Sequence, residues 1–349
     1  MVDHNYFKNK KVLITGGSGS IGSAIVKDLI KKSYKTIRVM SNDENGIYEL
    51  NEELSILNFK MTRINKKTKK LKDKMLKTGV RYLVGDIRDF NRCITATKNI
   101  DIVIHAAAMK HVPLCEYNPD EVKKTNIQGT ENLIKASIKN NVKKFLLIST
   151  DKVVEPSSVM GKSKLEAERL VLKYQKKNKK TKLAIIRFGN IILSRGSVVH
   201  KFVKQVLTKK SITVTSKNVT RFFLTINDAV KKIFEVLKLS TGGEIFIVTK
   251  MHSFKIFDLA KAIKSIFKKK NSILFTGLRE GEKNYEKLIS NYEKITKIFK
   301  KKNLAIISKT ENYSYSLITD SRYTDHLSIQ EIKKILIKEK IHKLQKFSL

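Results

Sequence analysis

Short apolar runs rich in β-branched residues alternate with longer stretches of helical period through the first half of the chain. The runs are Val12–Thr15, Thr36–Met40, Tyr82–Val84, Ile102–His105, Phe145–Ser149 and Leu183–Phe188. Helical spacing fills Ile21–Lys32, Asp120–Asn140 and Met160–Lys176. Such alternation predicts a parallel sheet covered on both faces, since a crossover helix is the usual link between parallel strands. With 3 prolines in the chain, breaks are read from Gly, Asn, Asp and Ser. After about residue 195 the pattern loosens into mixed segments at Ser211–Val214, Asn227–Leu239, Glu244–Val248 and Phe257–Phe267. The expectation is an α/β domain with a doubly wound parallel sheet over 1–195. A smaller lobe follows over 196–349, its chain partly interwoven with the first domain. Lys66–Lys77 reads as a solvated, charged insertion.

Composition narrows the classes. The chain has 349 residues, 41% of them hydrophobic, and a mean hydropathy of −0.28, enough for a packed core. No apolar run approaches the ~18 residues that span a bilayer, so no membrane span is expected. The polar stretch Met1–Lys11 leads directly into the first strand without the pattern of a signal peptide. Cys93 and Cys115 are too few for a disulfide framework, and no Cys/His cluster suggests a metal. A reducing, cytoplasmic compartment fits that usage. The net charge of +40 raises nucleic acid as a partner. It comes mostly from 61 Lys, against 11 Arg, scattered through nearly every segment. That is the distribution of solvated helix faces, with no binding module and no interleaved aromatics, and no nucleic-acid partner is expected. Where Lys is so abundant, the few Arg hint at places needing a planar, bidentate donor: Arg88, Arg187, Arg195, Arg221 and Arg279 all lie in motif-like segments.

The first strand runs into Gly16-Gly17-Ser18-Gly19-Ser20-Ile21-Gly22 and then a helix. This is GxGxxG in the context of strand, tight turn and helix that a Rossmann-like fold uses to bind a dinucleotide. Glycines permit close approach to a pyrophosphate, and the helix N-terminus offers N–H donors to it. At the tip of the second strand stand Ser41, Asn42 and Asp43. An NAD site would usually carry an acidic residue at the place of Ser41, and an NADP site a cation at that of Asn42. Asp43 suits a ribose hydroxyl, while Ser41 and Asn42 tolerate a 2′-phosphate. NADP is the reading taken, with NAD as its alternative. Asp86 and Ile87, after the third run, suit the adenine, although Asp86 also fits a helix cap. Ala106, Ala107 and Ala108 leave room for cofactor against the backbone, and His105 before them fits a satisfied core histidine.

Ser149-Thr150-Asp151-Lys152 ends the fifth run, and Met160-Gly161-Lys162-Ser163-Lys164 opens a helix eight residues later. Together with TGGSGSIG, GDIRD, HAAAMKHVPLCEYNP, TNIQGT, RFGN, SRGSVV, TRFF and LREGEK, these motifs run in order from residue 15 to 283. In them the sequence resembles the extended short-chain dehydrogenase/reductases. More closely, it resembles the nucleotide-sugar 4,6-dehydratases of capsule, O-antigen and flagellin-glycan biosynthesis. One departure matters. The superfamily places a proton-accepting tyrosine four residues before its lysine, and here Met160 stands there while Lys164 remains. Met160 has no transferable proton. Lys164, one turn on along the same face, suits the nicotinamide ribose. A lysine desolvated beside a positive nicotinamide is expected to titrate toward neutrality, which would make Lys152 a base.

The resemblance implies oxidation at C4 of the hexose, loss of water across C5–C6, and return of the hydride to C6. On this reading Lys152 is the base toward C4-OH or C5-H, Asp151 the acid at the departing C6-OH, and Thr150 a donor to O4, with the first two roles reversible. Lys110 and His111 line the sugar pocket. Arg187, Asn190, Ser194, Arg195, Ser197 and Val198 offer donors to a diphosphate, and Arg221, Arg279 and Glu282 form a nucleotide clamp. The implied substrate is a nucleotide sugar, with UDP-N-acetylglucosamine and inversion at C5 favoured, and the implied assembly a homo-oligomer, dimer or hexamer. The alternatives are a nucleotide-sugar epimerase and a catalytically silent NADP-binding protein. Because the charge is read as solvated, duplex DNA is expected to bind weakly, without sequence preference, and with an affinity that falls steeply with salt. A salt-resistant, sequence-selective complex in a fluorescence-anisotropy titration would contradict this.

Overall fold

The computed structural model describes residues 6–32, 34–64, 79–310 and 320–347; the expected insertion at Lys66–Lys77 lies outside them. Fourteen strands can be followed. They are β1 (Lys11–Thr15), β2 (Thr36–Ser41), β3 (Val80–Val84), β4 (Ile102–His105), β5 (Lys144–Thr150), β6 (Lys182–Phe188) and β7 (Asn190–Ile191) in the first half. The second half adds β8 (Ile212–Val214), β9 (Thr220–Leu224), β10 (Ile245–Val248), β11 (His252–Lys255), β12 (Ile273–Phe275), β13 (Glu293–Phe299) and β14 (Leu304–Lys309). The longer helices are α1 (Ser20–Leu29), α2 (Glu44–Ile64), α3 (Phe90–Thr97), α4 (Gly129–Lys139), α5 (Val159–Lys177), α6 (Val198–Leu207), α7 (Ile226–Leu239), α8 (Ile256–Ile266) and α9 (Ile329–Lys338).

Nine strands form the main sheet in the order β13-β14-β10-β6-β5-β4-β1-β2-β3. From β3 to β10 every pairing is parallel, and β14 and β13 are added antiparallel at one edge. The segment 3-2-1-4-5-6 is the order of a Rossmann dinucleotide fold, and the strand order reverses between β1 and β4. The all-apolar runs are explained by cover on both faces: Val12, Leu13, Ile14, Ile102, Val103 and Ile104 are all buried. At the switch point a crevice opens above the carboxyl ends of the strands.

The second half of the chain is divided between two cores. Helix α7 and strands β10, β13 and β14 pack with the main sheet. A separate apolar cluster joins Val199, Phe202 and Val206 of α6 to Phe254, Leu259 and Ile263 around α8 and to Ile332 and Leu336 of α9. The interweaving is therefore extensive, with the main sheet taking strands from both sides of residue 195.

The helix expected over Asp120–Asn140 is interrupted. A turn at Pro119–Val122 leads into a π-helical segment, Lys123–Gln128, before α4 begins. The buried Asn126 in that segment accepts from Met109 N at 2.8 Å and donates to Met109 O at 3.0 Å and Ser163 Oγ at 2.9 Å. The wider turn directs this side chain inward, where it ties the loop after β4 to α5.

Arg187 corrects an expectation. Read from sequence as an anion donor, it lies 2% exposed within the sheet, its guanidinium gripping Glu168 of α5 (Nη2 to Oε2 2.6 Å, Nε to Oε1 2.9 Å) and Glu293 of β13 (Nη1 to Oε2 3.0 Å, Nη2 to Oε1 2.9 Å). Its remaining contact is the Leu288 carbonyl at 3.2 Å. No donor is left for a diphosphate. Arg187→Met would leave two buried carboxylates without their cation, and a loss of about 3–5 kcal/mol in unfolding free energy is expected from urea melts.

Candidate active site

A groove of about 1100 Å³ opens over the switch point. One end is built by the glycine turn. Gly16 has φ +63, and a Cβ there would stand 2.7 Å from the Ala107 backbone, so the loops after β1 and β4 touch only because neither carries bulk. At Gly22 a Cβ would lie 2.2 Å from Gly16 O, and the close packing of α1 onto the turn depends on its absence. Gly19 differs: a Cβ would meet only Gly16 O, at 3.1 Å. Gly16, Gly19, Ser20, Ile21 and Gly22 all line the groove, as do Ala106, Ala107 and Ala108. The first-turn N–H groups of α1 have no partner within the helix, and such groups suit a pyrophosphate. Long, floored by small residues and closed at one end by a helix N-terminus, the cradle fits a dinucleotide.

Beyond it stand the β2 tip residues. Ser41 Oγ lies 2.8 Å from Ser18 Oγ, and Asp43 accepts from Gly46 N at 2.9 Å and from Ser18 Oγ at 3.2 Å. Asp43 thus secures the start of α2. Asn42 is exposed and lines the groove with Ser41, Asp43, Asp86 and Ile87. Asp86 accepts from Arg88 N and Nε at 2.9 and 2.7 Å, while the cap of α3 is Asp89. His105 is a core histidine, held between Thr15 and Thr130 hydroxyls at 2.7 and 2.9 Å. Burial, with the Lys164 charge beside it, drives its pKa down to about 3.

Ser194, Arg195, Ser197 and Val198 line the groove on the side opposite the glycine turn, and the Arg195 main chain crosses to it. Arg195 N donates to Ser20 Oγ at 2.9 Å, its guanidinium to Ser18 O, and its carbonyl accepts from Lys110 Nζ at 2.8 Å. The expected diphosphate donor thus bridges the glycine turn and the Lys110-His111 loop. Gly196, at φ +68, leaves only 2.4 Å between a would-be Cβ and the His111 ring.

The chemistry end lies where β5 stops. Thr150 Oγ donates to Asp151 Oδ1 at 2.9 Å. Asp151 is fully buried, and its Oδ2 has no hydrogen-bond partner among the described residues. Burial pushes its carboxyl above the usual range, the Lys152 ammonium pulls the other way, and the Glu286 charge reinforces the rise. Lys152 Nζ donates to Asp151 Oδ1 at 2.9 Å and Asn190 Oδ1 at 3.0 Å, and lies 3.7 Å from Glu286 Oε1. Burial lowers its pKa, but Asp151 and Glu286 more than offset this and the net direction is upward. The sequence reading expected a lowered value. That reading weighed a nicotinamide charge and could not see the second carboxylate.

Met160 is buried against Cys115 and Val122 in a small apolar cluster, on the groove wall where the superfamily tyrosine would stand. Lys164, one turn along α5, donates to Ile148 O at 2.6 Å, and burial, partly countered by Glu168, lowers it to about 8. Ser158 caps α5 through Gly161 N at 3.1 Å.

Arg221, Arg279 and Glu282 do not line the groove. With Lys283 and Glu286 they surround a second cavity of about 180 Å³, and Lys152 faces both. Arg221 is buried and donates to the carbonyls of Thr220, Lys283 and Asn284 at 2.8, 2.7 and 3.2 Å, so most of its fork braces the chain. Glu282 accepts from Thr215 Oγ at 3.1 Å and Arg279 N at 3.3 Å, while the Arg279 residue is exposed. Glu286 was missed in the sequence, where it is one glutamate among many. Its only local signal is its place three residues after Lys283.

A family model described as "Polysaccharide biosynthesis protein" matches residues 12–309. The chain belongs to that family, within the extended short-chain dehydrogenase/reductases. Among relatives of this polysaccharide biosynthesis protein, a Methanocaldococcus jannaschii chain named an uncharacterized membrane protein is 39% identical over 344 residues, covering 95% of this chain and 96% of its own. UDP-glucose 4-epimerase of Rickettsia bellii is 35% identical over 350 residues, covering 95% and 96%. The solved structure of Pen from Bacillus thuringiensis is 33% identical, covers 95% of this chain and 98% of its own, and superposes with a TM-score of 0.80. DesIV, a dTDP-glucose 4,6-dehydratase of Streptomyces venezuelae solved with NAD bound, shares the fold at 18% identity and TM-score 0.68, covering 94% and 96%. Two of these four carry the names of nucleotide-sugar enzymes, one an epimerase and one a 4,6-dehydratase. Among the described residues no helix is long and apolar enough to cross a membrane.

A Cβ at Gly19 would press only on Gly16 O, at 3.1 Å, a contact the turn relieves by giving a few tenths of an ångström. Gly19→Val is expected to stay folded with a somewhat lowered melting temperature and to lose cofactor. Absorbance and mass spectrometry of the purified variant check this; retained NAD(P) would reject the proposed cradle.

Proposed function

We propose that this family member is a nucleotide-sugar 4,6-dehydratase working on UDP-N-acetylglucosamine with C5 inversion, as a homo-oligomer with NADP. The observation that carries the reading is the Asp151–Lys152 pair. A fully buried carboxyl with one oxygen unpartnered lies 2.9 Å from an amine on the groove, whose wall also carries a methionine that cannot titrate. An elimination needs an acid and a base together, and this pair supplies both.

The glycine turn, Ala106–Ala108 and Lys164 would hold the dinucleotide, which when bound accepts hydride from the sugar and gives it back. The rest is proton traffic for the protein. Two protons leave the sugar, from O4 and from C5. Two are delivered, one to the departing O6 and one to C5 at the end. With hydroxide lost as water, the sum is one H₂O removed and the pair restored. Burial favours the protonated form of Asp151, which suits it as acid at O6. With its pKa raised, Lys152 becomes a base only by passing its proton to Asp151 across the 2.9 Å contact. The neutral amine then takes one of the two sugar protons, from O4 or C5. Asp151 gives its own to O6 and takes the other as the carboxylate so formed. One proton returned to C5 at the end restores the pair. Thr150 donates to O4. Met160 adds an apolar wall that keeps water from the enolised intermediate.

The second reading, a nucleotide-sugar epimerase, is favoured by the printed name of the Rickettsia relative. It would oxidise C4 but would not expel O6. Incubation of the protein with UDP-N-acetylglucosamine in deuterated water separates the two. Dehydration gives a product lighter by one water, with deuterium at C5 and its configuration readable by NMR, whereas a product of unchanged mass supports epimerisation. Lys152→Met is expected to cost about 10²-fold or more in turnover. Met160→Ala should cost much less, and Met160→Tyr should be tolerated. Near-full activity in Lys152→Met with cofactor bound would remove Lys152 from the mechanism.

A further inference from the structure

Glu286 is 2% exposed, on the segment that lines the second cavity and far in sequence from β5. The chain around it is fastened on both sides. Glu286 N donates to Ser321 Oγ at 3.0 Å, and Ser321 N returns to Glu286 O at 2.9 Å. Toward the active site, Lys283 Nζ donates to Val154 O at 2.9 Å, Ser157 Oγ to Gly281 O at 2.9 Å, and Lys287 Nζ to Glu155 at 3.0 Å. Arg221 holds the Lys283 and Asn284 carbonyls. Segment 281–287 is thereby fixed against the turn that carries Lys152.

Three cations meet in this contact, Lys152, Arg221 and Lys283, against the carboxylates of Glu282 and Glu286 and an Asp151 carboxyl that burial draws toward its protonated form. The spacings are 2.9 Å for Lys152–Asp151, 3.7 Å for Lys152–Glu286, 3.8 Å for Arg221–Glu286, 3.6 Å for Arg221–Glu282 and 2.9 Å for Lys283–Glu286. The neutral groups facing Lys152 are Asn190 and, through Asp151, Thr150. In such a cluster the loss of one carboxylate adds to the excess of positive charge. Arg cannot release a proton at ordinary pH and Lys283 is the more solvated amine, so the strain falls on Lys152.

We propose that Glu286 is a positioning residue that holds the Lys152 ammonium at the tip of β5 from the C-terminal side of the chain. It couples the segment bearing Arg279 and Glu282 to the proton-transferring pair. This rests on the reading of Lys152 as a proton-transfer group. Glu286 acts only through Lys152, and neither the cofactor groove nor the sugar chemistry requires it to touch a reacting atom.

The test reads Lys152 directly and needs no turnover. In the cofactor-loaded protein, the pH dependence of Lys152 modification by trace acetic anhydride is followed by peptide mass spectrometry. Glu286→Gln is expected to move the Lys152 midpoint to lower pH by about 1 unit or more, the usual size for removing a charge at this range. Glu286→Asp, which keeps the charge, should restore most of it. Lys283→Met deletes a neighbouring cation while leaving Glu286 in place, so it should move the midpoint the other way, and it serves as the test if Glu286→Gln does not fold. An unmoved midpoint in folded Glu286→Gln, equal behaviour of Gln and Asp, or an unmoved midpoint in Lys283→Met would each overturn the proposal. In active enzyme, kcat should fall at least tenfold in Glu286→Gln and the Lys152 limb of the pH profile shift in the same direction as the labelling. If wild-type protein gives no dehydrated product, the dehydratase reading fails, while the labelling still decides the role of Glu286.

Discussion

The active-site end of the sheet rests on one buried cation. Arg187, at the end of β6, grips Glu168 and Glu293, and Glu168 in turn accepts from Ser149, the residue before Thr150, at 2.6 Å. One guanidinium thereby fixes the tip of β5, the helix that carries Met160 and Lys164, and the antiparallel edge strand supplied by the last third of the chain. A buried ion pair contributes little net stability compared with apolar packing of the same volume, but its geometry is demanding. Here that geometry sets where Thr150, Asp151 and Lys152 stand at the tip of β5. A lysine in place of Arg187 could not reproduce the fork, because its single nitrogen cannot meet two carboxylates and a carbonyl in one plane.

The parts of this architecture written in local patterns were legible. Apolar runs marked β1 to β6 because strands covered on both faces must be apolar throughout, and the glycine turn announced itself because its backbone tolerates no other residues at Gly16 and Gly22. Many of the residues expected at a site line the groove for a related reason: they sit at or just after strand tips, where sequence order and spatial order coincide. What escaped was long-range. The scarcity of Arg rightly suggested places that need a planar fork, but not whom the fork would meet. Arg187 and Arg221 brace carboxylates and carbonyls inside the protein, and Arg195 ties one loop to another. The direction of the Lys152 shift was misjudged because its deciding partner, Glu286, arrives from more than a hundred residues away. The π-helical segment was hidden because a helical period cannot register one extra residue per turn when the inserted side chain is polar.

The pairing of Met160 with Asp151 and Lys152 has a physical logic. A tyrosine facing the sugar would be a third titrating group within a few ångströms of a buried carboxyl. Replacing it by an apolar side chain lowers the local dielectric and strengthens the electrostatic coupling of the two groups that remain.

Among the described residues the nine-stranded sheet ends at β13, which pairs with β14 alone. Exposed strand edges are templates for adding a further strand from another molecule. Along β13 the exposed positions include Lys294 and Lys297, and Lys300 to Lys302 follow at its end. Two copies meeting edge to edge would bring these ammonium groups together, on a molecule already carrying +40. Like charges placed so oppose the edge-to-edge addition of a strand. Colloidal stability in this chain is coupled to ionic strength, since the salt that screens the edge also removes its protection.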